Sequence, residues 1–124
     1  MQIGDLVTAP YKTGVYIGEV TQWSESRATV RVLAVKKHPK QGDLHNPNQT
    51  NVPFFHERKA LSFREQTNVP PQQIKAYEGD VPDYYASLQH ALDTYENKLR
   101  QTESPYARQA LDCLLNLKKA YFRS

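Results

Sequence analysis

Three of the four histidines, His38, His45 and His56, lie with Asp43 and Glu57 in the single stretch from His38 to Arg58. Imidazoles and carboxylates in sets of three or four are what zinc takes as ligands, and a catalytic zinc leaves one position open. The intervals of seven and eleven residues between the histidines match no helical or finger template. Hydrogen bonding of loop backbone is the simpler role for such histidines. The expectation is therefore no metal and no cofactor. A metal-dependent enzyme is the third-ranked reading, and it predicts a stoichiometric ion in the purified protein.

Nucleophilic chemistry has less to work with. Cys113 falls between Leu111 and Leu114 in the apolar register of the last helical stretch, where a buried, inert thiol is expected. No serine sits in a Gly-x-Ser-x-Gly elbow, and the five glycines are too isolated for a phosphate loop. Asp93 and Glu96 read as solvent-facing charges. No catalytic residue is assigned, and the protein is expected not to be an enzyme.

Recognition is better supported. Tyr11, Lys12, Tyr16, Trp23, Phe54 and Phe55 are aromatic and basic groups placed on turns or strand edges, a composition suited to a contact surface. Lys36, Lys37 and Lys40 precede the histidine-bearing stretch, and Arg58, Lys59 and Arg64 follow it. The formal net charge of +3 belongs to residues 1–79, with ten Lys and Arg against seven Asp and Glu; residues 80–124 balance six against six. The candidate contact surface is Tyr11, Lys12, Lys36, Lys37, His38, His45, Phe54, Phe55, His56 and Arg58, with Phe54 and Phe55 as anchors. The runner-up reading is a small barrel that binds single-stranded nucleic acid by stacking beside a basic groove. The modest charge argues against it, and no nucleic acid is expected.

These residues need elements to hold them. Gly4 to Thr8 reads as a short strand ended by Pro10, and Tyr11 to Gly14 as a turn in which Gly14 supplies the positive φ. Val15 to Trp23 is a second strand, with Gly18 placed for the bend or bulge that a small barrel needs. Ala28 to Lys36 alternates most clearly, with Val30, Val32 and Ala34 on one face. Residues 38–56, containing Pro39, Pro47 and Pro53, form a long loop, after which Glu57 to Arg64 resumes a strand pattern with Leu61 and Phe63 on one face. Pro70 to Tyr77 suits one or two helical turns.

From Asp80 the period becomes helical, with Tyr84, Leu88, Ala91, Leu92, Tyr95 and Leu99 in one stripe. Ser104 and Pro105 start a second helix carrying Ala107, Ala110, Leu111, Leu114, Leu117 and Tyr121. The short connection predicts an antiparallel hairpin that must cover the barrel, a second copy or a partner. The expected class is α+β: an SH3-like β-barrel over residues 1–68 and a helical segment over 69–124. Many of the eight tyrosines should sit half-buried at seams between elements, with the hydroxyl turned to water or a partner. A single cysteine, the absence of an export pattern after Met1 and the lack of a long apolar run lead to the expectation of a cytoplasmic protein, at most peripheral at the inner face of a membrane.

Several strings are longer and rarer than such patterns. Tyr11-Lys12-Thr13-Gly14, Lys37-His38-Pro39, Gln41-Gly42-Asp43-Leu44-His45-Asn46, Phe54-Phe55-His56-Glu57-Arg58, Arg64-Glu65-Gln66-Thr67-Asn68 and Tyr77-Glu78-Gly79 resemble the kinase-associated protein B family of Bacillus and its relatives. The resemblance runs over about residues 4–90 and weakens over the last helix. It implies an SH3-like barrel with a helical segment, and a protein that activates or supports a sensor histidine kinase feeding the sporulation phosphorelay. It brings no catalytic residues. The family also carries the name lipoprotein, from which this sequence departs, because its one cysteine is Cys113. Membrane association would then be indirect, through the kinase. A homodimer through the helical hairpin is a further expectation.

Overall fold

The computed structural model describes residues 1–42 and 57–122. Strands β1 (Leu6–Tyr11), β2 (Gly14–Trp23), β3 (Ala28–Lys37), β4 (Gln66–Val69) and β5 (Lys75–Ala76) precede helices α1 (Tyr84–Gln101) and α2 (Pro105–Tyr121). The sheet is antiparallel throughout, in the order β4-β3-β2-β1-β5. It curls without closing, and the fold is α+β, a small open SH3-like barrel with a helical pair.

Curvature originates in β2. Its register against β3 shifts between Ile17 and Gly18 and again between Val20 and Gln22. A Cβ on Gly18 would stand 2.4 Å from the Arg31 carbonyl oxygen and 2.6 Å from Val30 Cγ1, so only glycine lets the two backbones approach at this bend. The barrel interior is then filled by Val7, Ala9, Val20, Ala28, Val30, Val69 and Ile74, with Trp23 packed against them. A single 3₁₀ turn at Pro71–Gln73 leads into β5, matching the helical turn expected after the paired prolines.

Helix α2 starts at the cap expected for it, and α1 starts at Tyr84 behind a cap, Asp83, that the reading from Asp80 did not name. Asp83 accepts from the Ala86 N–H at 3.0 Å and Ser104 from the Ala107 N–H at 3.0 Å, with Pro105 in the first turn of α2. The stripe of α1 is buried on β3, and α2 folds back against α1. Tyr16, Val32 and Val35 of the sheet meet Leu88, Leu92, Leu99 and Leu114 of the helices in a second apolar cluster. Full burial of each such leucine contributes about 1.5–3 kcal/mol. Ser87 joins the layers differently: its hydroxyl donates to the Tyr84 carbonyl at 2.6 Å and accepts the Val35 N–H at 2.9 Å, so α1 satisfies an amide of β3. Between the helices, Lys118 lies 3.4 Å from Glu96 and 3.8 Å from Asp93. The two carboxylates therefore form a cross-helix pair rather than purely solvent-facing charges.

Two local expectations are corrected. No strand occupies Glu57 to Arg64; the fourth strand is Gln66–Val69, because Arg64 turns the chain at φ 68° and Phe63 is left 47% exposed. Gly14 does not carry the positive φ of the β1–β2 turn, which falls on Lys12 (φ 44°) and Thr13 (φ 69°). What Gly14 provides is clearance: a Cβ there would lie 2.7 Å from the Tyr16 hydroxyl and 3.0 Å from Pro39 Cγ.

Candidate functional site

Residues 38–42 and 57–61 run beside each other without a strand ladder, which leaves their backbone polar groups to be satisfied by side chains. Gln41, 3% exposed, does most of this. Its Oε1 accepts the Arg58 N–H at 2.8 Å, and its Nε2 donates to the Arg58 carbonyl at 2.9 Å and the Pro39 carbonyl at 3.1 Å. One amide side chain thus engages both backbone groups of Arg58, as a neighbouring strand would.

Five tyrosines complete the pairing. Tyr95 accepts the Gln41 N–H at 3.0 Å and Tyr106 donates to the Gln41 carbonyl at 2.7 Å. Tyr16 accepts the Leu61 N–H at 3.2 Å, and Tyr84 donates to the Leu61 carbonyl. Tyr121 accepts the Ala60 N–H at 2.7 Å. The expectation of tyrosines half-buried at seams is met here, and the seam is the pair of segments that frame residues 43–56. Burial pushes the Tyr16 phenol up to about 12 and raises Tyr84, Tyr95 and Tyr121 above the ordinary tyrosine value.

His38 also belongs to this frame. It is 3% exposed, with Nδ1 2.9 Å from the Pro39 carbonyl and Nε2 3.0 Å from the Tyr121 hydroxyl. A carbonyl only accepts, so Nδ1 carries the proton and Nε2 accepts from Tyr121, whose oxygen is free to take the Ala60 amide. Burial lowers the imidazole from 6.5 to about 4, only partly opposed by the bond to Pro39. His38 is a neutral structural histidine bonded to loop backbone.

Outside the frame lies an open cleft of about 460 Å³ lined by Tyr11, Lys12, Tyr16, Pro39, Glu57, Arg58, Lys59, Leu61 and Glu65. It brings together Tyr11, Lys12 and Arg58 of the expected contact surface. Arg58 is held at its mouth by Nε donating to the Gly42 carbonyl at 3.0 Å, and Lys12 Nζ stands 5.4 Å over the Tyr11 ring. Lys37 is exposed, paired across the ladder with Val15, whereas Lys36 faces a separate groove of about 430 Å³ with Tyr77, Pro82 and His90. His45, Phe54, Phe55 and His56 lie outside the described residues. Trp23 packs against the barrel core, far along β2 from this cleft.

Among the described residues, no group of three or more His, Cys, Asp or Glu side chains is placed to hold a metal ion. Cys113 is half-buried in α2, and its thiol is raised by burial and by the neighbouring carboxylates Glu57 and Asp112. Among the described residues, no helix is long and apolar enough to cross a membrane. Gln41, Ser87, Tyr106 and Lys59 were not singled out as site residues by sequence pattern. Gln41 had one available signal, its position in the string from Gln41 to Asn46 shared with the family.

Relatives of the chain are consistent in sequence and fold. The family described as kinase-associated protein B matches residues 11–122. The kinase-associated lipoprotein B of Bacillus subtilis (strain 168) is 50% identical over 121 residues, covering 98% of this chain and 94% of that protein. The crystal structure of kinase-associated protein B from Bacillus cereus superposes with a TM-score of 0.83 at 46% identity, covering 98% of this chain and 97% of that one. The matched region runs from the Tyr11–Gly14 turn through the framed segments to the end of α2, and on that extent the chain belongs to the kinase-associated protein B family.

Proposed function

We propose that this protein acts by protein–protein contact on a sensor histidine kinase, or on another protein of the sporulation phosphorelay, and that it activates or supports that kinase without catalysing a reaction of its own. The observation that carries this reading is the convergence of Tyr11, Lys12 and Arg58 on one cleft beside the framed ends of residues 43–56. Three features favour a rigid contact surface there: backbone held by Gln41, an aromatic at the rim, and cations that are in no ion pair among the described residues. Family membership supports a kinase as the partner, since the relatives are named for association with one.

In this reading Tyr11, Lys12, Lys37 and Arg58 touch the partner directly, with His45, Phe54, Phe55 and His56 contributed by residues 43–56. Lys36 contributes from the neighbouring groove. His38 acts by holding the frame. The protein works at the inner face of the membrane, reached through the kinase. The apolar stripes of α1 and α2 are occupied by β3 and by each other, so a homodimer through the hairpin uses its polar outer face.

The test is affinity purification of the tagged protein from sporulating cells, with co-purified proteins and nucleic acid identified together. A sensor histidine kinase or phosphorelay protein in the eluate supports the reading. Recovery of nucleic acid without one overturns it in favour of a nucleic-acid-binding barrel.

A further inference from the structure

Among the described residues, only three cations are in ion pairs. Arg31 pairs with Glu19 at 2.9 Å, Arg100 with Glu96 at 2.9 Å, and Lys118 with both Asp93 and Glu96. Lys12, Arg58 and Lys59 line the cleft with Glu57 and Glu65, Lys37 and Lys40 adjoin it through the backbone, and among the described residues none of the five is in an ion pair. The backbone brings them together. The Lys40 N–H donates to Thr13 Oγ1 at 2.9 Å, tying the chain after β3 to the β1–β2 turn, and Lys37 stands opposite Val15 just beyond that turn.

That turn is strained in a way that serves the cluster. Lys12 and Thr13 both take positive φ, uncommon for any residue with a Cβ and least favourable for a β-branched one. A two-residue hairpin would ordinarily place Asn and Gly there. The sequence keeps a lysine that projects over Tyr11 at the cleft rim and a threonine whose hydroxyl fixes Lys40.

Resting on the contact reading above, we infer that this end of the barrel binds an acidic peptide segment of its protein partner, with clustered carboxylates on the lysine rim and one apolar side chain in the cleft against Leu61 and Pro39. The charge excess supplies the complementarity, and the cleft volume falls in the range of specific small sites. A peptide fits better than a nucleic acid for two reasons. Glu57 and Glu65 can accept peptide N–H groups, donors that the phosphate backbone of a nucleic acid does not offer. The aromatic at the rim, Tyr11, has a ring face occupied by Lys12 and is poorly offered for base stacking.

The experiment is a titration of isotope-labelled full-length protein with poly-L-glutamate, read by backbone amide shifts, with oligothymidylate as the competing polyanion. Shifts centred on Lys12, Thr13, Lys37, Lys40 and Lys59 are expected, and they should be largely reversed by salt of about 0.3 M. The exposed-site variant Lys12→Glu/Lys59→Glu, with unchanged melting temperature, should bind polyglutamate at least about tenfold more weakly. Absent shifts, shifts centred on Arg108 and Lys119, or tighter binding of oligothymidylate would each overturn the inference. The two readings fail separately. Polyglutamate mapping to this end while a captured kinase binds through another face sinks the contact reading alone. A kinase contact here with no polyglutamate binding sinks the acidic-segment inference alone.

Discussion

Replacement of Gln41 by alanine tests whether one amide side chain takes the place of a strand ladder beside the cleft. The side chain is 3% exposed and makes three hydrogen bonds, two of them to the N–H and C=O of Arg58. The Pro39 carbonyl keeps its bond from His38 Nδ1, so the substitution strands the two Arg58 groups and opens a small cavity. A buried group left without a partner costs about 1–3 kcal/mol, and solvent reaches this part-buried backbone, so the loss should be about 3 kcal/mol. For a chain of this size that corresponds to a melting temperature lower by roughly 10 °C. Urea denaturation should show a lower midpoint with an unchanged slope. Gln41→Glu sharpens the test, because a carboxylate of the same shape cannot donate to the Pro39 and Arg58 carbonyls. It should be at least as destabilising as alanine at neutral pH, and the deficit relative to wild type should narrow as the pH falls toward about 5 and the carboxyl becomes a donor. A loss under about 0.5 kcal/mol for Gln41→Ala, or a Gln41→Glu protein as stable as wild type, would refute the reasoning.

Three further outcomes follow from burial. His38 is lowered to about 4 from 6.5, so between those values the unfolded chain binds the extra proton and stability should fall with falling pH, by about 3 kcal/mol in all; calorimetry of wild type against His38→Gln, which lacks the titration, measures it. Tyr16, Tyr84, Tyr95 and Tyr121 are raised, so their contribution is intact below the ordinary tyrosine value of about 10 and is lost above it. Ultraviolet titration should accordingly show these phenols ionising only together with unfolding. Gly18→Ala places a methyl against the Arg31 carbonyl and Val30, and should cost about 1–3 kcal/mol by chemical denaturation, with no gain from the reduced freedom of the unfolded chain.

Periodicity made the larger elements legible. The alternation over Ala28 to Lys36, the bend at Gly18, the stripes of α1 and α2 and the cap of α2 each reflect a physical demand that leaves a recognisable mark. β4 left none: Gln66, Thr67 and Asn68 are polar and only Val69 is buried, so the more apolar Leu61 and Phe63 drew the strand to the wrong place. The turn was misread at Gly14 because a glycine can be required for clearance as well as for φ, and spacing does not separate the two. The cleft was legible in part. Tyr11, Lys12 and Arg58 stood out as aromatic and basic residues near turns, whereas Gln41, which positions Arg58, is one polar residue whose role depends on a contact seventeen positions away. Whether His38 joined His45 and His56 in a cluster or served the backbone depended on burial, and Tyr121, from the far end of the chain, supplies its partner.

The proposed contact is tested by measuring, with the kinase that the tagged protein captures, binding and stimulation by wild-type protein, by Lys12→Glu/Lys59→Glu, and by Arg108→Glu as a remote exposed control, with all three matched in melting temperature. The barrel-end variant should lose kinase binding and stimulation together while the Arg108→Glu protein retains both. Full stimulation by the barrel-end variant would contradict it.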